Sequence, residues 1–123
     1  MHSATSLDNR TFRAVENAVH GEASADTIFR YHQRGELVWA TYEGGDVAFG
    51  TLLGRLGPAG TLSIQYQHLN TKGEMRTGVC TSHIEVLPDG RCRLHESWQW
   101  TACEPIGDAG SSIVEEQIER ERI

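Results

Sequence analysis

The chain has 123 residues, 38% of them hydrophobic and 23% charged, with a formal charge of -6. That suits one globular domain, is too short for two ordinary ones and does not have the composition of a disordered chain. An acidic chain with scattered Lys and Arg is also a poor match for nucleic acid or an anionic membrane, and no stretch is apolar enough to span a bilayer.

In chain order, residues 1–9 are expected to fray, residues 10–119 to form one β-barrel domain and residues 120–123 to fray again. The expected strands are 10–18, 27–33, 36–43, 46–56, 61–70, 74–87, 91–102 and 111–119. Each is rich in β-branched and aromatic residues and too short for an ordinary helix. Glycine-bearing turns separate many of them: Arg34-Gly35, Gly44-Gly45, Gly57-Pro58-Ala59-Gly60, Thr71-Lys72-Gly73 and Pro88-Asp89-Gly90. The last strand also suits a helix, through Ile113, Glu116 and Gln117. Regular turn spacing of this kind predicts an all-β fold, an eight-stranded antiparallel up-and-down barrel.

Turn type fixes which residues face each other. Leu87-Pro88-Asp89-Gly90-Arg91 reads as a type I turn with a glycine bulge, setting Gly78 opposite Trp100, Cys80 opposite Trp98 and Ser82 opposite Glu96. The same reading at Thr71-Lys72-Gly73 sets Gly78 against Tyr66 and Arg76 against His68. At Pro58-Ala59-Gly60 it sets Tyr66 against Leu52 and His68 against Gly50. Gly44-Gly45, taken as a two-residue turn, sets Gly50 against Trp39 and Ala48 against Thr41. The inward face then carries Phe29, Tyr31, Trp39, Thr41, Ala48, Leu52, Tyr66, His68, Arg76, Glu96, Trp98 and Trp100. Outward go Arg91, Arg93, His95, Ser97 and Gln99, with an apolar patch of Val38, Tyr42, Val47 and Phe49 that would support a homodimer.

This interior is graded. Leu56, Leu62, Ile84 and Leu94 plug one end; Trp39, Thr41, Tyr66, His68, Arg76 and Trp100 lie towards the other, beside the two longest loops, 20–26 and 103–110. An apolar floor, aromatic walls and a few polar groups suit a small organic ligand, and Arg76 beside His68 suits a carboxylate or phosphate. The candidate ligand-binding residues are Trp39, Thr41, Tyr66, His68, Arg76, Glu96, Trp98 and Trp100. Small barrels are also filled by their own side chains, which leaves an interaction module without a pocket as the alternative. Glu96 is the unusual inward residue. It belongs either to a structural network with Ser82 and Tyr31 or Arg30, or to acid–base chemistry alongside His68.

Sharper motifs fail, and neither a metal nor a cofactor is expected. His95-Glu96-Ser97-Trp98-Gln99 begins like a zinc-protease signature, but Gln99 replaces the second histidine and the segment reads as a strand. Arg55-Leu56-Gly57-Pro58-Ala59-Gly60 joins two strands and opens no helix, unlike a dinucleotide loop. Cys80, Cys92 and Cys103 make an odd count that suits thiols in a reducing cytoplasm, and the N-terminus lacks the basic-then-apolar order of a signal peptide. Cys80 and Cys92 fall at different levels of one hairpin, too far apart to bond.

Gly21-Glu22, Phe29-Arg30-Tyr31, Val38-Trp39-Ala40-Thr41-Tyr42, Tyr66-Gln67-His68-Leu69-Asn70, Gly78-Val79-Cys80 and the long stretch from Leu87-Pro88-Asp89-Gly90-Arg91 to Leu94-His95-Glu96-Ser97-Trp98-Gln99-Trp100 carry a resemblance. Together they resemble a family of short, mostly bacterial proteins that often bear the label N-acetylglutamate synthase, and the likeness runs from about Arg10 to Glu116. The label implies an acetyltransferase, yet no Arg/Gln-x-x-Gly-x-Gly/Ala loop leading into a helix is found. The family looks like an avidin- or lipocalin-type meander barrel. The lipocalin Gly-x-Trp of strand one is missing and the biotin contacts of avidins find no positional match, so the resemblance implies the fold and not biotin binding.

Overall fold

The computed structural model describes residues 5–17, 22–101 and 109–118. Eight strands follow one another: β1 (Arg10–Asn17), β2 (Ile28–Arg34), β3 (Leu37–Gly44), β4 (Val47–Leu56), β5 (Thr61–Asn70), β6 (Met75–Val86), β7 (Cys92–Trp100) and β8 (Ala109–Glu116). Each pairs antiparallel with the next, and β1 pairs with β8 to close the barrel. Closure removes the free edges that an open sheet would expose. The last element is a strand and not a helix, because alternation puts Ser112 and Val114 inside, where a helical face could not continue the sheet.

Three turns have the geometry that their sequences require. At Pro88, Gly90 N–H donates to Leu87 O at 2.9 Å and Leu87 N–H to Arg91 O at 2.8 Å, with Gly90 at φ 90°. Gly73 and Gly60 take the same left-handed position, at φ 82° and 78°. The ladders follow: Gly78 faces Trp100, Ser82 faces Glu96, Tyr66 faces Gly78, His68 faces Arg76 and Leu52 faces Tyr66.

The fourth turn differs, and it inverts a strand. Gly44 pairs with Val47, so the two turn residues are Gly45 and Asp46, and the ladder slips on both sides of them. Gly50 consequently faces Tyr42, not Trp39. A slip by an odd number of residues exchanges the two faces of a strand. Val38, Ala40 and Tyr42 are buried, whereas Trp39 and Thr41 point outward, where Trp39 stacks on His32 with centroids 5.6 Å apart. The bulge in β4 likewise buries Val47 and exposes Ala48. Of the apolar patch expected outside, Phe49 alone is exposed, while Val38, Tyr42 and Val47 face the core.

The end near the tight turns is sealed by Leu56, Leu62, Leu94, Phe12 and Tyr31. Leu7, in the stretch expected to fray, is fully buried, and its N–H donates to Gln33 Oε1 at 2.8 Å. Asn9 N–H donates to Tyr31 O in addition. Across the β7–β8–β1 seam, Arg10 pairs with Glu116 at 2.7 Å, while Arg91 and Arg93 converge on Glu115 at 2.7 and 2.8 Å. Cys80 and Cys92 are free and buried; Cys103 lies outside the described residues, as does most of the 103–110 loop.

Candidate functional site

Above the plug the barrel holds a cavity with room for the centres of several water molecules, about 70 Å³. Alternation along each strand supplies its wall. Phe29 comes from β2, Tyr42 from β3, Leu52 from β4, and Ile64, Tyr66 and His68 from β5. Cys80 comes from β6, Glu96, Trp98 and Trp100 from β7, and Ser112 from β8. Two cross-strand glycines make room for the tyrosines. A Cβ at Gly50 would overlap the Tyr42 ring, and one at Gly78 would overlap the Tyr66 ring. The rings pack edge to face: Tyr66 on Trp100 at 5.8 Å, and Tyr42 on His68 at 5.5 Å.

Of the residues read from sequence as site candidates, the structure brings Tyr66, His68, Glu96, Trp98 and Trp100 onto the cavity wall. Arg76 stands beside it, with Cζ 5.8 Å from the Trp100 centroid. Trp39 and Thr41 are not there; they border a shallow groove on the outer face, with Leu53, Gln65 and Val79.

The open end is tied down by a residue that strand periodicity could not reveal. Glu22, between β1 and β2, accepts from His68 Nε2 at 2.7 Å and from Asn70 Nδ2 at 3.1 Å, and lies 3.3 Å from Arg76 Nε. A carboxylate only accepts, so His68 Nε2 is the donor, and Nδ1 shares a hydrogen bond with the Tyr42 hydroxyl at 3.0 Å. Partial burial raises the Glu22 pKa, but the hydrogen bonds from His68 and Asn70, with the charges of His68 and Arg76, outweigh it and hold the carboxyl below its ordinary range. Arg76 also reaches Glu74 at 3.3 Å. Replacing Glu22 by alanine is expected to lower stability by about 1–2 kcal/mol at neutral pH. A carboxyl with a depressed folded pKa stabilises above its unfolded value and loses that contribution as the pH falls. Urea melts should therefore show parent and variant converging in acid; a loss independent of pH would mean that packing, not charge, sets the effect.

Glu96 lies deeper, pointing inward between the buried side chains of Leu94 and Trp98, and is itself half-buried on the cavity wall. Burial raises its pKa to about 7, against a hydrogen bond from Ser112 Oγ at 3.1 Å that lowers it. The expected network with Ser82 does not form. Ser82 Oγ and Tyr31 Oη are buried without a hydrogen-bond partner among the described residues, although Ser82 sits directly opposite Glu96. Burial, with the Glu96 charge second, keeps the Tyr31 phenol and the Cys80 thiol protonated, their pKa values raised well above the ordinary range. Cys80 therefore lacks the thiolate character of a reactive cysteine. Among the described residues no cluster of His, Cys, Asp and Glu could hold a metal ion.

A closed meander barrel, plugged at one end and hollow at the other, with aromatic walls around a few inward polar groups, is the architecture of small-ligand barrels. The family model of the avidin-like proteins matches residues 5–117, and the chain belongs to that family. A search of curated proteins found no match. With every described element a strand, the barrel gives no support to the acetyltransferase label, which implies a loop leading into a helix.

Proposed function

We propose that the protein binds a small organic molecule in the cavity bounded by Tyr42, Tyr66, His68, Glu96, Trp98 and Trp100. The observation that carries this reading is Glu96. In a barrel filled by its own side chains an inward carboxyl would be sealed, whereas this one opens onto a space walled by aromatic rings. Arg76 and His68, the grounds for expecting an anionic ligand, both face Glu22, and Arg76 faces Glu74 as well. The Arg76 charge is thereby compensated, and His68 is already engaged.

Native mass spectrometry of freshly purified protein is expected to show a small-molecule adduct that is released on gentle denaturation. Leu52→Phe, which adds volume to the cavity wall, should abolish it while the chain stays folded. An adduct retained undiminished in Leu52→Phe would put the molecule elsewhere and overturn the reading. So would a bare parent protein whose tryptophan fluorescence ignores a broad set of metabolites.

A further inference from the structure

We propose that the cavity takes a small organic cation, an alkylated ammonium group seated among the aromatic rings with Glu96 as its counter-ion. The inference rests on the reading of the cavity as a ligand pocket and names the chemistry of its occupant. Phe29, Tyr42, Tyr66, Trp98 and Trp100 approach the space from four different strands, so a central group meets rings on several sides. The face of each ring is a region of negative potential, and attraction for a cation grows when water is excluded. Trp100 already takes one cation from within the protein, the Arg76 guanidinium.

The charges lead to the same class. At the open end Glu22 is engaged by His68 and Arg76, and Arg76 in turn by Glu22 and Glu74, so the cation of that cluster already has carboxylate partners. Glu96 has no such partner. Among the described residues no cationic nitrogen pairs with it, and its hydrogen bond comes from the neutral Ser112. An anion bound here would face that carboxylate without compensation, and an uncharged apolar molecule would leave it unpaired in a dry site. A cation supplies the missing charge. Two buried hydroxyls lack a partner among the described residues: Ser82 Oγ, whose residue stands opposite Glu96 in the ladder, and Tyr31 Oη, whose phenol feels the Glu96 charge. As donors they would serve an ionised carboxylate better than a protonated one.

Size narrows the choice. Roughly 10–15 Å³ of such space holds one water, so the cavity takes about five to seven non-hydrogen atoms, the size of a trimethylammonium head with a short tail.

The test is a tryptophan-fluorescence titration of the whole chain at about pH 8, where Glu96 is ionised, with two probes. One is choline; the other is the uncharged alcohol in which a quaternary carbon replaces the choline nitrogen. Choline is expected to bind at least tenfold more tightly. Glu96→Gln, which keeps the shape of the site, should reduce that preference below threefold. Equal binding of both probes to the parent would overturn the cation assignment and leave the pocket standing. A choline preference that survives intact in Glu96→Gln would overturn Glu96 as counter-ion. Binding of neither probe would overturn the cation assignment too, and a co-purifying adduct that is not a cation would then show the pocket itself to be real.

Discussion

Glu96→Gln is expected to make the barrel more stable above neutral pH, and the gap between variant and parent should widen by about 2.5 kcal/mol from about pH 5 to about pH 8. Burial raises the Glu96 pKa from 4.5 to about 7 in the folded protein. The folded state therefore holds a proton that the unfolded chain has released, and stability falls as pH rises through that interval. The contribution is fully present below the unfolded pKa and gone above the folded one. Glutamine has the shape of the protonated acid and can still accept from Ser112 Oγ, so the variant keeps the packing and loses the titration. The other shifted carboxyls do not obscure the effect. Glu22, Asp89 and Glu115, Asp89 held by hydrogen bonds from Arg91 and Glu115 by hydrogen bonds from Arg93 and Arg91, have lowered values and change stability only in more acid solution. Urea denaturation of both proteins across the range is the measurement. Parallel stability curves would mean that cavity water solvates the carboxylate well enough to keep its pKa ordinary.

The same carboxyl links stability to occupancy. A cation that binds only the ionised form should draw Glu96 towards ionisation and lessen the loss of stability at high pH. An uncharged ligand would add a stabilisation with much less dependence on the Glu96 charge.

How much of this could be read from the sequence depended on the turns. From β4 to β7 each connection carries a glycine where a left-handed residue is needed, at Gly60, Gly73 and Gly90, and the register followed residue by residue. That placed Tyr66, His68, Glu96, Trp98 and Trp100 on one face. Gly44-Gly45 was ambiguous, because adjacent glycines allow the turn to sit on either pair, and Gly45-Asp46 won. The strand could not correct the error by its own pattern. Val38, Ala40 and Tyr42 are as fit for burial as Leu37, Trp39 and Thr41, so both alternations look plausible. The structure decides for the first set because Gly50 must lie under Tyr42. Glu22 was invisible for another reason: it sits outside any strand, and its role comes from a chain crossing that no local period encodes. Ser112 was hidden by the doubt between strand and helix at the eighth element.

The pairing of glycine with tyrosine across a ladder carries the second large effect. Gly50→Ala is expected to destabilise the barrel by about 3 kcal/mol, near the upper end for overpacking a core. The added Cβ would overlap the Tyr42 ring and stand 2.7 Å from the Cβ of His68. Neither neighbour can retreat easily. Tyr42 is stacked on Phe29 with centroids 5.0 Å apart, and its hydroxyl is held by His68, which is itself held by Glu22. The disturbance should therefore travel from β4 to the latch at the open end and change the shape of the cavity. A double-mutant cycle separates the causes. Tyr42→Leu removes the ring and costs stability alone, but in its presence Gly50→Ala should cost about 1–2 kcal/mol less than in the parent. The residual cost reports the His68 contact, which Tyr42→Leu leaves in place. Strict additivity would show that the ring does not press on Gly50, and the inward placement of Tyr42, with the inversion of β3 that it implies, would fall with it.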